Sequence, residues 1–450
     1  MLVITSFGII GGCGSSDGGN AGMGIVVDPI VPAGGDTSID TRSGFAFDNP
    51  APNLTPELEA DHVAGDIDFG DRFVSAPSPV NPGLGPLFNN VSCESCHTKN
   101  GRGQPIFQDD NLRSQPLIRV SLPQGTPEFP GGPVPVPGIG TQIQDHAIEG
   151  FVPEADIVLS FEEMPGQYPD GTPYSLRKPI LTITLADGTP IGQDIQTSMR
   201  IPPPVIGLGL LEAISEETLF EFADPNDEDG DGVSGRVNMV WNIVESRTEV
   251  GRFGRKANNP NLRQQTSTAY FNDMGVSNPD LRDPDGFSDI DEDTLAKATF
   301  YVQSLAVPNR LPTTNPDAGR GEELFYAVGC IACHKPTIVT GQHPDGFTQF
   351  SNQTIQAFTD LLLHDMGEGL ADNRPDFSAN GREWRTPPLW GLGLVRTISG
   401  GPANYLHDGR ARTIEEAILW HGGEAETAVD GFKNLSAEER AMVLFFLSTL

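Results

Sequence analysis

The C-terminal end of the chain announces a helix through its pattern of apolar and polar positions. Ser436 and Glu439 stand at the spacing of a capping box, and Val443, Leu444, Leu447 and Leu450 follow at the intervals of one buried stripe. Thr413 and Glu416 repeat the capping spacing and open a second helix, which stops at Gly422-Gly423. Helical periodicity also covers residues 208–222 and 291–305, and a short helix is expected through Leu324 and Phe325. Strand patterning is local. Ile180-Leu181-Thr182-Ile183-Thr184-Leu185 alternates between the turn signals Asp170-Gly171 and Asp187-Gly188, which predicts a small β insertion of hairpins in residues 168–195. The Pro/Gly-rich run from Pro123 to Gly140 cannot be helical. The expectation is a mainly α protein with long loops.

Length and composition refine this picture. A chain of 450 residues fits two or three domains. Glycine and proline, 52 and 39 residues, make about a fifth of it, which favours compact helical units over a large parallel sheet. Residues 1–12 read as the end of a signal peptide, since the apolar run is too short to span a membrane. Ile10-Gly11-Gly12-Cys13 has the form of a lipobox, with Cys13 as the lipidated N-terminus, although no Lys or Arg precedes Arg42. Residues 13–45 read as a flexible, Gly/Ser/Asp-rich tether. Residues 46–316 and 317–450 then form two units, divided near Pro308–Pro316.

The net charge of −33 excludes nucleic acid as a partner, because such a surface repels phosphate backbones. It suits a cationic electron donor, though an acidic, soluble surface is the plainer explanation.

Cysteine use carries the chemistry. Four of the five cysteines lie in two C-x-x-C-H boxes, Cys93-Glu94-Ser95-Cys96-His97 and Cys330-Ile331-Ala332-Cys333-His334. Two thiols one helical turn apart can form thioethers to a porphyrin, and the next residue offers an imidazole to its iron, so each box is a c-type haem attachment signal. A zinc site or a redox dithiol shares the C-x-x-C spacing but not the repeated histidine. Leu-Phe precedes both boxes at the same offset (Leu87-Phe88 and Leu324-Phe325), which reads as an internal duplication. Covalent haem attachment takes place outside the cytoplasm, so export follows. The expected architecture is two cytochrome c-like haem domains, and no pair of cysteines remains for a structural disulfide.

Asp227-Glu228-Asp229-Gly230-Asp231-Gly232 places carboxylates at alternate positions with glycine at the bend, as a calcium loop requires, and Asp227, Asp229 and Asp231 are its candidate ligands. Asn238 stands at the twelfth position in place of a bidentate Glu, so the string is no standard EF-hand, and an acidic helix-capping turn is the alternative.

Several separated motifs resemble one family. Gly85-Pro86-Leu87-Phe88-Asn89, Gly101-Arg102-Gly103, Leu361-Leu362-Leu363-His364-Asp365-Met366-Gly367, Trp384-Arg385-Thr386-Pro387-Pro388-Leu389-Trp390-Gly391 and Tyr405-Leu406-His407-Asp408-Gly409-Arg410 are similar to the bacterial di-haem oxidoreductases of peroxidase type. The resemblance spans roughly residues 45–450, and extends distantly to di-haem cytochrome c peroxidases and the methylamine-dehydrogenase maturation enzyme. Arg255 stands where that family would lead one to expect an aromatic residue. Haem attachment and the lipobox imply an exported, periplasmic protein held to the outer membrane only by its lipid, and the resemblance implies an enzyme. It would reduce hydrogen peroxide with electrons from a small cytochrome c or cupredoxin. A non-catalytic di-haem electron carrier and a haem oxidase of a protein or organic substrate are the alternatives.

His97 and His334 are the proximal ligands on this reading. In the similar peroxidases a Met twelve residues after a His-Asp-Gly motif caps the electron-transfer haem; counted from Gly409 that position is His421, which shares a helix face with Ile414, Ala417 and Ile418. A core histidine at a helix C-terminus is the plain alternative, and Met366 and His364 compete for the role. His62 and His146 are candidates at the first haem. An open site there, with Gln104, Gln142, Gln144 or Glu149 handling protons, is the other expectation, and Gln104 and Glu149 are the catalytic candidates. Trp241, Trp384, Trp390 and Trp420 could relay electrons or simply pack. The expected division of labour puts peroxide at the His97 haem and electron entry at the His334 haem.

Overall fold

The computed structural model describes residues 27–107 and 115–450. The signal peptide and the Cys13 lipobox lie outside the described residues. Part of the stretch expected to be a tether lies inside them and is packed: Ser38–Ile39 pairs in parallel with Val307–Pro308, and Thr37 is buried beside them.

The helices in chain order are α1 (Pro56–Gly70), α2 (Cys93–Cys96), α3 (Leu208–Glu212), α4 (Glu216–Phe222), α5 (Leu262–Met274) and α6 (Glu292–Ser304). They continue with α7 (Pro316–Ala327), α8 (Val395–Ser399), α9 (Ile414–Trp420), α10 (Glu426–Asn434) and α11 (Ala437–Thr449). Local signals explain several ends. Ser436 and Glu439 cap α11 reciprocally, as their spacing predicts. At α9 only half of the capping box forms: Thr413 accepts from the Glu416 N–H, while the Glu416 carboxylate turns to Arg412. The helix expected over residues 208–222 is two helices, because the Ser215 side chain accepts from Thr218 N–H and starts α4 afresh.

The mainly α expectation is wrong. The structure is 28% helix and 19% strand, with the strands spread over several small sheets. The larger part of the difference is a hairpin of two thirteen-residue strands, Ala155–Gln167 and Pro173–Leu185, turning at Asp170-Gly171. The turn signal is legible in sequence, but the first strand is not. Its exposed stretch Phe161-Glu162-Glu163-Met164-Pro165-Gly166 lacks alternation and is held by cross-strand pairing. A three-stranded sheet, Gln142–Ile143, Leu117–Ser121 and Gln196–Arg200, packs Ile118, Val120 and Ile143 against the hairpin base. The hairpin tip reaches the C-terminal helices: Tyr168 joins the cluster of Leu324, Phe325 and Phe446, its hydroxyl donates to Glu415, and Asp170 pairs with Arg440.

One helix crossing occurs twice. In α1, a Cβ on Gly65 would lie 2.2 Å from the Lys297 carbonyl oxygen of α6; in α7, a Cβ on Gly321 would lie 2.0 Å from that of Met442 in α11. Only glycine permits such an approach. One turn further along, Phe69 packs on Tyr301 at 5.0 Å and Phe325 packs on Phe446 at 5.4 Å, between ring centroids. The duplication is therefore carried by Gly65/Phe69 and Gly321/Phe325. The repeated Leu-Phe pair does not carry it: Leu324-Phe325 is helical, whereas Leu87–Phe88 is a strand antiparallel to His146–Ala147.

Candidate functional site

The two boxes are built on different backbone but reach the same chemistry. Ser92 caps the single turn α2, which places Cys93 and Cys96, while Gly329 at φ 94° starts the 3-10 turn that places Cys330. The Nδ1 of His97 lies 2.8 Å from the Pro203 carbonyl oxygen, and that of His334 lies 2.9 Å from the Phe358 carbonyl oxygen. A carbonyl only accepts, so each Nδ1 carries the proton and each Nε2 keeps its lone pair for a metal. Burial pulls both imidazoles down to about 4, so both are neutral at pH 7. Phe69 and Phe325 stand at matching positions, 6.2 Å from the His97 and His334 rings and tilted by 52° and 53°. Burial pushes the Cys93 and Cys330 thiols up to about 12, which is the reverse of a reactive dithiol.

Both boxes line one continuous cavity of about 420 Å³. Arg102, Arg119, Arg255 and Arg385 line it too, and none of the four forms an ion pair with a described carboxylate. The donors of three go to backbone instead, Arg102 to the carbonyls of Asn404 and Leu406, Arg255 to Ile201 and Arg385 to Gly254, while Asp273 bears on Arg119 from a distance. Burial lowers all four, Arg102 and Arg385 to about 10. Arg200, by contrast, is paired with Asp372 and Asp376. Buried charges without a direct ion pair are expensive, so a cavity walled by them suits an anionic guest. A haem carries two propionates, and two boxes would bring four carboxylates to four guanidiniums. The residues fit the group that the boxes imply.

The cavity also sorts the remaining histidines. His421, the C-cap of α9, lines it with Nδ1 2.6 Å from the Ala417 carbonyl oxygen, so its Nε2 is a free lone pair like those of His97 and His334. Burial lowers its pKa as well. His364 also lines the cavity, but its Nε2 lies 2.9 Å from Asp360 and its Nδ1 2.8 Å from Glu424, so both nitrogens are engaged. Met366 lines the wall nearby. His407 lies flat on Trp384, and burial lowers it to about 3. His62 and His146 are outside the lining: the first bonds Ser304 in the α1–α6 interface, the second bonds Asp145 and stacks on Phe88.

Among the proton-handling candidates, Gln142 Nε2 lies 2.9 Å from Asp273 Oδ1 and Gln144 Nε2 donates to the Asn272 carbonyl. Gln104 accepts from Asn404 and Glu149 is exposed; neither lines the cavity. Asp273 does, and sequence reasoning missed it. Burial raises its carboxyl, and Arg119 and Gln142 oppose that rise. Its sequence signal is one face of α5: Leu262, Gln265, Thr266, Ala269 and Asp273 all line the cavity, an unusually polar stripe for a buried helix. Trp384 and Trp390 line it, and Trp241 and Trp420 do not. In the acidic loop the structure brings Asp224 to Asp227 and Asp229, within 4.8 Å of one another, while Asp231 accepts from the Val233 N–H.

Two stretches, residues 30–285 and 280–450, match the family model described as "Di-haem oxidoreductase, putative peroxidase". No curated protein matches the chain. A structure titled hydrazine synthase from Kuenenia stuttgartiensis, pressurised with 20 bar xenon, is similar at 13% identity and a TM-score of 0.38, over 94% of this chain and 99% of that one.

Proposed function

Since the chain belongs to the di-haem oxidoreductase family, we propose that it is an exported c-type enzyme that reduces hydrogen peroxide with electrons from an external donor protein. Cys93, Cys96 and His97 would hold one haem covalently, and Cys330, Cys333 and His334 the other. Bound haem iron would supply one-electron storage and the site of peroxide cleavage.

The observation that carries this reading is the asymmetry of histidines around a cavity shared by both boxes. His421 lines the cavity with Nε2 free and lies near enough to His334 to be among the groups that lower its pKa. The two histidines considered for the first iron lie elsewhere. With His421 on the second iron and the first left open, electrons would enter at His334 and peroxide would bind at His97. Asp273, held by Gln142 beside the first box with its carboxyl raised by burial, would be the group that handles a proton there. The four unpaired arginines would hold the propionates.

EPR and optical spectra of the purified holoprotein, taken with peroxide turnover of a reduced donor, test the proposal. One low-spin and one high-spin haem with rapid turnover support it. Two low-spin haems without turnover would identify an electron carrier, for which His407 is the remaining cavity-lining histidine.

The donor would be a small cationic cytochrome c or cupredoxin, drawn by the net charge of −33. Export would end in the periplasm, with Cys13 lipidated at the outer membrane; Cys13→Ser should release soluble protein, and unchanged membrane fractionation would contradict the anchor. Asp227 and Asp229 would bind calcium together with Asp224.

A further inference from the structure

The segment that carries His421 is fastened to the second box through one ring. Both nitrogens of His364 face carboxylates, Asp360 at 2.9 Å and Glu424 at 2.8 Å. Ionised carboxylates only accept, so both nitrogens must donate, and His364 is an imidazolium by geometry. Both His364 and Asp360 are 2% exposed at the side chain, and Asp360 also bears on Arg385. The same ring touches the box itself: Cys333 Sγ lies 3.5 Å from Nδ1.

Glu424 follows His421 by three residues and is held from three further sides. Ser234 donates to it through its backbone N–H at 3.1 Å and its hydroxyl at 2.8 Å, and the Asp365 N–H donates at 3.2 Å. Between the two residues the chain lies directly on the segment carrying His364. A Cβ on Gly423 would lie 2.2 Å from the Asp365 carbonyl oxygen, and one on Gly367 would lie 2.8 Å from the Gly423 nitrogen. The arm therefore has one seat, and the charged bonds to His364 close it.

We infer that the Asp360–His364–Glu424 trio is a positioning device that locks the His421 arm against the second box, and that His364 is not an iron ligand. The inference rests on the reading of His421 as the sixth ligand of the second iron. The Glu424 carboxylate, on the same His364 nitrogen that faces Cys333, would also favour the oxidised state of that haem.

The test uses the holoprotein and reads EPR and the reduction potential of each haem. Wild type and His421→Ala are compared first; if the low-spin signal survives His421→Ala, the reading of His421 fails independently of the trio. With that signal assigned, Glu424→Gln should broaden or split it and move the potential of that haem upward, leaving the other haem unchanged. Glu424→Asp should restore part of the wild-type signal. Ser234→Ala, which removes one bond to Glu424, should shift the signal in the same direction by less, and stands in if Glu424→Gln loses haem. An unchanged signal and potential in Glu424→Gln, or in Ser234→Ala where Glu424→Gln loses haem, would reduce the trio to an ordinary core network.

Discussion

Gly321 and Met442 meet where two helices cross so closely that a single added carbon atom at Gly321 would sit 2.0 Å from the Met442 carbonyl oxygen. Gly65 and Lys297 repeat the contact at 2.2 Å. Each crossing sets the phenylalanine that stands against a proximal histidine, so backbone contact and site geometry are linked. Gly65→Ala and Gly321→Ala should each cost about 1–3 kcal/mol, the range for overpacking a tight site. Thermal denaturation of the holoprotein measures it; an unchanged Tm would mean that the helices separate freely.

Replacing His421 by Ala should leave the second iron with one protein ligand. The optical and EPR spectra should then gain a high-spin component, because a strong-field imidazole is lost. Peroxide turnover should fall through slower electron supply while peroxide binding persists. A mutant with an unaltered low-spin spectrum would make His421 a core residue and pass the role to Met366.

The unpaired arginines have a two-sided signature. In haem-free protein, Arg255→Leu removes a buried charge that forms no direct ion pair, and should stabilise the fold by about 1 kcal/mol once the lost bonds to the Ile201 carbonyl are offset. In holoprotein the same change removes a cation that opposes the oxidised state, so the potential of at least one haem should fall. Denaturant titration of the haem-free form and redox titration of the loaded form read the two effects. Equal destabilisation of both would point to simple packing.

His62 gives a pH dependence that iron cannot obscure, since it lies outside the cavity. Burial depresses it from 6.5 to about 4. The folded form thus stays neutral while the unfolded chain takes up a proton, so this contribution is whole above pH 6.5 and is lost as pH falls toward 4. His62→Gln should flatten the fall in Tm across that window. A slope identical to wild type would show that other groups dominate acid unfolding.

Added calcium should raise the Tm of wild type and leave Asp229→Ala unmoved, because Asp229 belongs to the carboxylate trio with Asp224 and Asp227. No calcium effect on wild type would mark the loop as a turn, held by bonds such as Gly232 N–H to Asp227.

The sequence by itself determined what depends on neighbours along the chain. Both C-x-x-C-H boxes, the Ser436/Glu439 cap and the turn at Asp170-Gly171 are local, and each is readable from spacing. That His421 shares a side with Ile414, Ala417 and Ile418 was equally legible, because a helix fixes such neighbours; all four line the cavity and are half-buried. Tertiary structure decided the rest. Leu87-Phe88 and Leu324-Phe325 are the same dipeptide at the same offset, yet one is strand and the other helix, since pairing with His146–Ala147 outweighs local propensity. The mainly α expectation failed for the same reason: the strand Ala155–Gln167 owes its form to its partner. Phe69, Asp273, Arg255 and Arg385 are far apart in sequence from the boxes they serve, and no period connects them. Their roles follow from burial around one cavity, where a charge without a partner is costly and a helix approach leaves no room for a methyl group.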